Sequence, residues 1–378
     1  MIKYWRDHID GKSPIRAVEC ILYTDARITG QIEKDCGPYL FFNTVPPTEG
    51  PGKILPYIVL RCFIFENESD KIFQFGDKTD NKNYHGGSSV IDEVSALSSL
   101  FLGIRIRASH VTRDFENLEK RPMGTPRQWG YRPAPEVDFR YNAPAIPSVI
   151  ETRNLSLLYR LKDILELRDA EGVALIRAAR LYQDALWVGE TDQNLAWIML
   201  VSALETIADC WAGESLSDEE VLNKIHGELF KRLNEECSSE TVNYISKYLK
   251  KLVGSTKKFR SLCLEFMPDQ PATRPEEFLQ IDWSPKGWEK ILGKVYHYRS
   301  KALHEGTPFP LPMGEPPFRF ESDEALSERG TLGLAASQAN ASWVSEDLPI
   351  NLNLFTDVTR KIILKWIERL AEERRGGK

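Results

Sequence analysis

Residues 192–213 read DQNLAWIMLVSALETIADCWAG, and this stretch decides the fold. Trp197, Leu200, Val201, Leu204, Ala208 and Trp211 recur at intervals of three or four, which places them on one face of an α-helix. The other side of the same helix is apolar as well, the mark of a central helix with neighbours all round. Between Asp192 and Asp209 its only charge is Glu205. An ion in such surroundings needs a partner, because an unpaired buried charge costs several kcal/mol.

Helical segments surround this one. TRNLSLLYRLKDILEL and GVALIRAARLYQDALWVG precede it; DEEVLNKIHGELFKRLNEEC, ETVNYISKYLKKLVGSTKKFRSLCLEF, PKGWEKILGKVYHYRSKALHEG and NLNLFTDVTRKIILKWIERLAEE follow. Each stops at Gly, Pro or a polar turn. In the last, Phe355, Val358, Ile362, Trp366 and Leu370 form an apolar stripe. Residues 151–378 therefore read as an all-α bundle, interrupted by a long insertion at about 307–349. No fixed-period repeat is present, which argues against a solenoid.

Residues 1–150 have another texture. AVECILYTDARITGQI, GPYLFFN and ILPYIVLRCFIFEN are strand-like runs, punctuated by Pro46-Pro47, Gly50-Pro51-Gly52 and Gly86-Gly87. DEVSALSSLFLGIRIRA reads either as one helix or as a helix running into a strand. The Pro-rich passage at about 121–147 is a linker or arm. The fold class is α+β: a β-rich N-terminal domain followed by a helical bundle.

Composition narrows the function classes. The net charge of −6 over 378 residues argues against a wholesale nucleic-acid coat, though not against a local basic groove. Six scattered cysteines and six histidines show no zinc-ligand spacing and no C-x-x-C pair, so no metal or cofactor is expected. No membrane-spanning run or signal core is read in the chain, and a cytoplasmic, soluble protein is expected. Glycine-rich phosphate loops and nucleophile elbows are missing from the sequence.

The helix that ends in YRSKALHEG, residues 298–306, carries the chemistry. Trp288, Ile291, Leu292, Val295 and Tyr296 form its apolar stripe, and one turn after Val295 stands Arg299. The simplest partner for Arg299 is Glu205. His304 precedes Glu305-Gly306-Thr307-Pro308, a helix-ending sequence. Five residues on a regular helix separate side chains by ~140°, so Arg299 and His304 converge only if the chain unwinds at the histidine. R-x-x-x-x-H alone is a weak signal: RIRASH, Arg105 to His110, matches it too and reads as a chance occurrence with no bundle around it.

ARLYQDALWVGETDQNLAWIMLVSALETIADCW followed by KVYHYRSKALHEG resembles the HEPN superfamily, and more closely its Apea-like branch, over residues 155–378. The resemblance implies a HEPN helical bundle that dimerises and brings two motif copies into one cleft. It implies a metal-independent endoribonuclease with Arg299 and His304 as the catalytic pair and Ser300 as the polar residue after the arginine. Glu205 would support Arg299. RNA, with tRNA among the candidates, would be the substrate, and bacterial antiphage defence the setting. The competing class is a catalytically silent dimeric HEPN scaffold. The chain departs from the family at Gly306, where HEPN toxins paired with nucleotidyltransferase antitoxins often carry a modifiable tyrosine.

Two further stretches suggest RNA contact. KRPMGTPRQWGYRP interleaves Arg127 and Arg132 with Trp129 and Tyr131 and has no acid, a pattern that suits single strands or an arm packing its rings on a neighbour. KYLKKLVGSTKKFR gathers positive charge, including Lys257 and Lys258, on a solvated face or beside an RNA groove.

Overall fold

The computed structural model describes residues 1–44, 53–65, 89–116, 121–127, 132–141, 143–212, 218–225, 227–319, 325–330, 337–338 and 341–376. After α1 (Ile2–Ile9) come β1 (Arg16–Thr24), β2 (Ile28–Thr29), β3 (Tyr39–Asn43) and β4 (Leu55–Ile64). Next are α2 (Val90–Leu102), β5 (Arg107–Phe115), β6 (Thr125–Pro126) and β7 (Arg153–Asn154). The main sheet is antiparallel in the order β3-β4-β1-β5-β6. Val18, Cys20 and Leu22 on β1 and Ile58, Leu60 and Cys62 on β4 are buried in alternation, as the period of two in a strand dictates.

The ambiguous run at 92–108 is a helix that leads into a strand. Ser89 caps α2 by accepting the Asp92 N–H, and Gly103, at φ +69°, closes it in the left-handed region before β5 begins. Buried on nearly every side, α2 touches both β5 and the bundle. The apolar core accordingly runs without a break from the sheet into the helices.

The bundle holds α3 (Asp169–Val188), α4 (Gln193–Ala212), α5 (Asp218–Ile225), α6 (Gly227–Glu236), α7 (Ser239–Glu265), α8 (Pro285–His304) and α9 (Leu352–Gly376). Two short strands, β8 (Ser337–Gln338) and β9 (Ala341–Ser342), pair ahead of α9. The central helix is α4, packed against α3, α7, α8 and α9. Trp197 stacks on Phe309 at 5.1 Å and lies 4.8 Å from Phe355 on α9, ring centroid to centroid. By length and composition α4 is apolar enough to cross a membrane, contrary to the sequence reading; here Trp197, Leu200, Val201 and Leu204 on it are fully buried in the bundle.

One helix differs in kind from its expected form. Leu155–Glu166 is a 3-10 helix, not an α-helix. Its buried residues Leu155, Leu158, Leu161 and Ile164 recur every three positions, which matches three residues per turn.

The Pro-rich arm is strapped to its neighbours. β6 extends the sheet beside β5, and the Ala145 N–H donates to Glu190 just beyond α3 at 2.7 Å. The RIRASH arginine is no chance surface residue. Arg105 is fully buried, 2.8 Å from Asp25 and 2.9 Å from Glu190, and it donates to the Leu186 carbonyl on α3. The bundle therefore packs against this arginine, which clamps the sheet unit to α3.

The insertion after α8 also packs, over the part described. Phe309 and Met313 are buried, and Glu328 accepts from Arg274, the Ile281 N–H and the Trp283 indole.

Candidate functional site

Ser284 starts α8 by accepting the Gly287 N–H, with Pro285 in the first turn. The helix stays α-helical through His304 and turns only afterward, at Glu305 and at Gly306 with φ +70°. The Thr307 N–H folds back to the Lys301 carbonyl. The expected unwinding at the histidine does not occur, because the glycine that permits the left-handed turn lies two residues further on. Arg299 and His304 therefore leave α8 ~140° apart and do not meet within one copy.

Arg299 turns inward. Its Nη2 lies 2.5 Å from Glu205 Oε2 on α4, and the pair is only 19% and 15% exposed. Tyr296, one turn earlier on α8, donates its hydroxyl to the other Glu205 oxygen at 2.9 Å. The guanidinium carbon stands 5.7 Å from the Tyr296 ring centroid. Phe259 on α7 packs 5.3 Å from that ring, so three helices enclose the group.

The electrostatics of this cluster are governed by burial. Burial pushes the Glu205 carboxyl above its ordinary value, against the pull of Arg299 and the Tyr296 hydrogen bond. Burial and the Glu205 charge likewise raise the Tyr296 phenol. Arg299 Nε is buried with no hydrogen-bond partner among the described residues.

His304 lies in the exposed final turn of α8, with Leu303 and Glu305 on either side. Ser300, next to Arg299 on α8, is half-buried. The structure thus joins Glu205 with Arg299 and leaves His304 and Ser300 outside that cluster. Sequence reasoning counted Tyr296 only as part of an apolar stripe; its spacing of three before Arg299 was the signal that it shares the arginine's face.

The basic stretch lies partly beside this cluster. Lys258 pairs with Asp209 near the end of α4 at 2.9 Å, and half-buried Lys257 precedes it on α7. In the arm, Arg127 pairs with Asp114 at 2.7 Å, and Arg132 holds Asp92 through two hydrogen bonds. Both arginines are thus committed to carboxylates of the sheet unit. Trp129 and Tyr131 lie outside the described residues.

Other chemistry is thinly represented. Among the described residues no group of three or more His, Cys, Asp and Glu is placed to hold a metal ion. The cysteines are free, and burial pushes the Cys36 and Cys62 thiols up to about 12, which makes them packing groups rather than nucleophiles. No family model, curated protein or solved structure matches this chain.

Proposed function

We propose that this chain is a metal-independent endoribonuclease of HEPN type, acting on RNA through Arg299 and His304. The observation that carries the reading is the Arg299 guanidinium fixed by Glu205 and Tyr296 on the helix that ends in an exposed histidine. Fixing an arginine lowers the ordering cost of presenting its remaining donors to a phosphate.

In such a reaction the 2′-oxygen of the substrate attacks phosphorus and the bond to the 5′-oxygen breaks. The products are a 2′,3′-cyclic phosphate and a 5′-hydroxyl end. A His304 imidazole would take the 2′-hydroxyl proton, and an imidazolium would protonate the leaving 5′-oxygen. Arg299 would neutralise the charge gathering on the phosphorane. Because the two residues diverge on α8, one phosphate would be served by Arg299 and His304 from two copies, in keeping with the dimeric cleft that the HEPN resemblance implies. DNA lacks the nucleophile and would be spared. A tRNA substrate and a role in antiphage defence belong to the same proposal.

One observation favours a second reading. Arg299 spends its hydrogen bond on an interior carboxylate, as it would in a silent HEPN scaffold whose pair is purely structural. Expression of wild type and His304→Ala in bacteria, with end analysis of cellular RNA before and after phage challenge, separates the two. Cyclic-phosphate ends that vanish in the variant support the ribonuclease. Their absence from both folded proteins supports the scaffold.

A further inference from the structure

Away from the Glu205–Arg299 cluster, a cleft of about 370 Å³ opens between α9, the 3-10 helix Leu155–Glu166 and the Pro268–Asp269 turn. Four cations line it, Arg160, Arg360, Lys361 and Lys365, against the two carboxylates Asp269 and Glu368. Asp269 and Glu368 face outward, 99% and 51% exposed, and screen the cleft only in part, while Lys361 pairs with Asp357 at 2.7 Å and leaves the two arginines and Lys365 as the less neutralised cations.

Neither arginine has a close carboxylate partner among the described residues. Arg360 is tied to the end of α2, giving hydrogen bonds to the Leu100 and Phe101 carbonyls at 2.8 and 2.6 Å, and no carboxylate among the described residues lies within ion-pair distance of it. Burial lowers its pKa from the usual arginine value against the opposing pull of Tyr182 and Asp357, with Arg153 and Arg160 adding to the lowering. Arg160 stands 3.7 Å from Asp163 and 3.6 Å from Glu368, both beyond good hydrogen-bond length, and its Nη2 is buried without a hydrogen-bond partner among the described residues. Asp163 is held more closely by Arg375, at 2.7 Å. A buried charged donor left in this state calls for an explanation.

We propose that this cleft binds a compact phosphorylated anion, gripped through its phosphate oxygens by Arg160, Arg360, Lys361 and Lys365. Guanidinium forks and flexible ammonium groups together match the many acceptor lone pairs of a phosphate. Among the described residues the apolar lining is limited to Pro268 and Leu364, and no aromatic ring lines the cleft. Recognition therefore runs through phosphate and not through a stacked nucleobase. The volume lies at the small end of ligand sites, the size of pyrophosphate or the phosphate end of a small metabolite. Since Arg360 also holds the end of α2, the ligand would sit where the sheet unit meets the bundle. This inference is independent of the ribonuclease reading.

The test is calorimetric titration of the full chain with sodium pyrophosphate at fixed ionic strength, with acetate as control. Saturable binding of one equivalent is expected, weakened roughly tenfold by Arg160→Gln or Lys365→Gln, the change for losing one charge-assisted hydrogen bond. Pyrophosphate should also raise the melting temperature of wild type more than that of either variant. Absence of saturable binding, or equal affinity in the variants with unchanged melting of the free proteins, overturns the proposal. Displacement of pyrophosphate by an oligoribonucleotide without terminal phosphates overturns it as well, because the cleft would then belong to a polynucleotide groove.

Discussion

Glu205 and Arg299, separated by 94 positions in the chain, meet at 2.5 Å between α4 and α8. The contact joins the only charge in the middle of α4 to the charge that interrupts the apolar stripe of α8. Tyr296 completes it by binding the second carboxylate oxygen.

That relationship predicts strong coupling. Glu205→Ala or Arg299→Ala alone should each destabilise the chain by about 2 kcal/mol, since each leaves a half-buried ion without its partner. The double variant should cost less than the sum by roughly 1 kcal/mol, which urea denaturation of the four proteins would measure. Strict additivity would mean that the contact carries no energy.

The pH dependence has a definite sign. Burial raises the folded-state pKa of Glu205, so the fold favours its protonated form. The resulting stability is fully present below the ordinary glutamate value and is lost as pH rises through the raised one. Subtracting the stability of Glu205→Gln from that of wild type cancels the other titrating groups. The difference should become less favourable to wild type as pH rises above the ordinary glutamate value. Urea midpoints across that rise check it, and a rising difference would contradict the assignment.

His304→Ala should separate activity from stability. The side chain is exposed at the end of α8, so unfolding free energy should move by no more than about 0.5 kcal/mol. If the ribonuclease reading holds, cleavage should fall by roughly a hundredfold or more, the usual contribution of a general acid or base. Arg299→Lys should lose cleavage as well, because a point charge cannot copy the planar fork.

The clamp between the sheet unit and α3 is expected to dominate stability. Arg105 is fully buried between Asp25 and Glu190, and Arg105→Ala would leave two buried carboxylates without a counter-ion. A loss of about 4 kcal/mol is expected. Denaturation followed by tryptophan fluorescence would report it, and a loss below about 1 kcal/mol would show that the triad does not hold the units together.

The sequence by itself placed most of the helices, the main strands and the two charges that had to be explained, but not the 3-10 form of Leu155–Glu166 or the helix-to-strand change within 92–108. Apolar spacing along 192–213 and 285–304 gives each helix a face, and alternation in β1 and β4 gives the sheet its buried side. The same spacing, at strict intervals of three, distinguishes the 3-10 helix Leu155–Glu166 in retrospect. Only the tertiary structure decided which faces meet: that Glu205 takes Arg299, that Tyr296 joins them, and that Arg105 belongs to a buried triad and not to an idle motif. It also decided that His304 stays on a regular helix and points away from Arg299. The physical reason is that periodicity is a property of one helix or strand and fixes directions around its own axis. A partner's identity depends on packing between segments distant in the chain, where desolvation and hydrogen-bond geometry select among charges that look alike in the sequence.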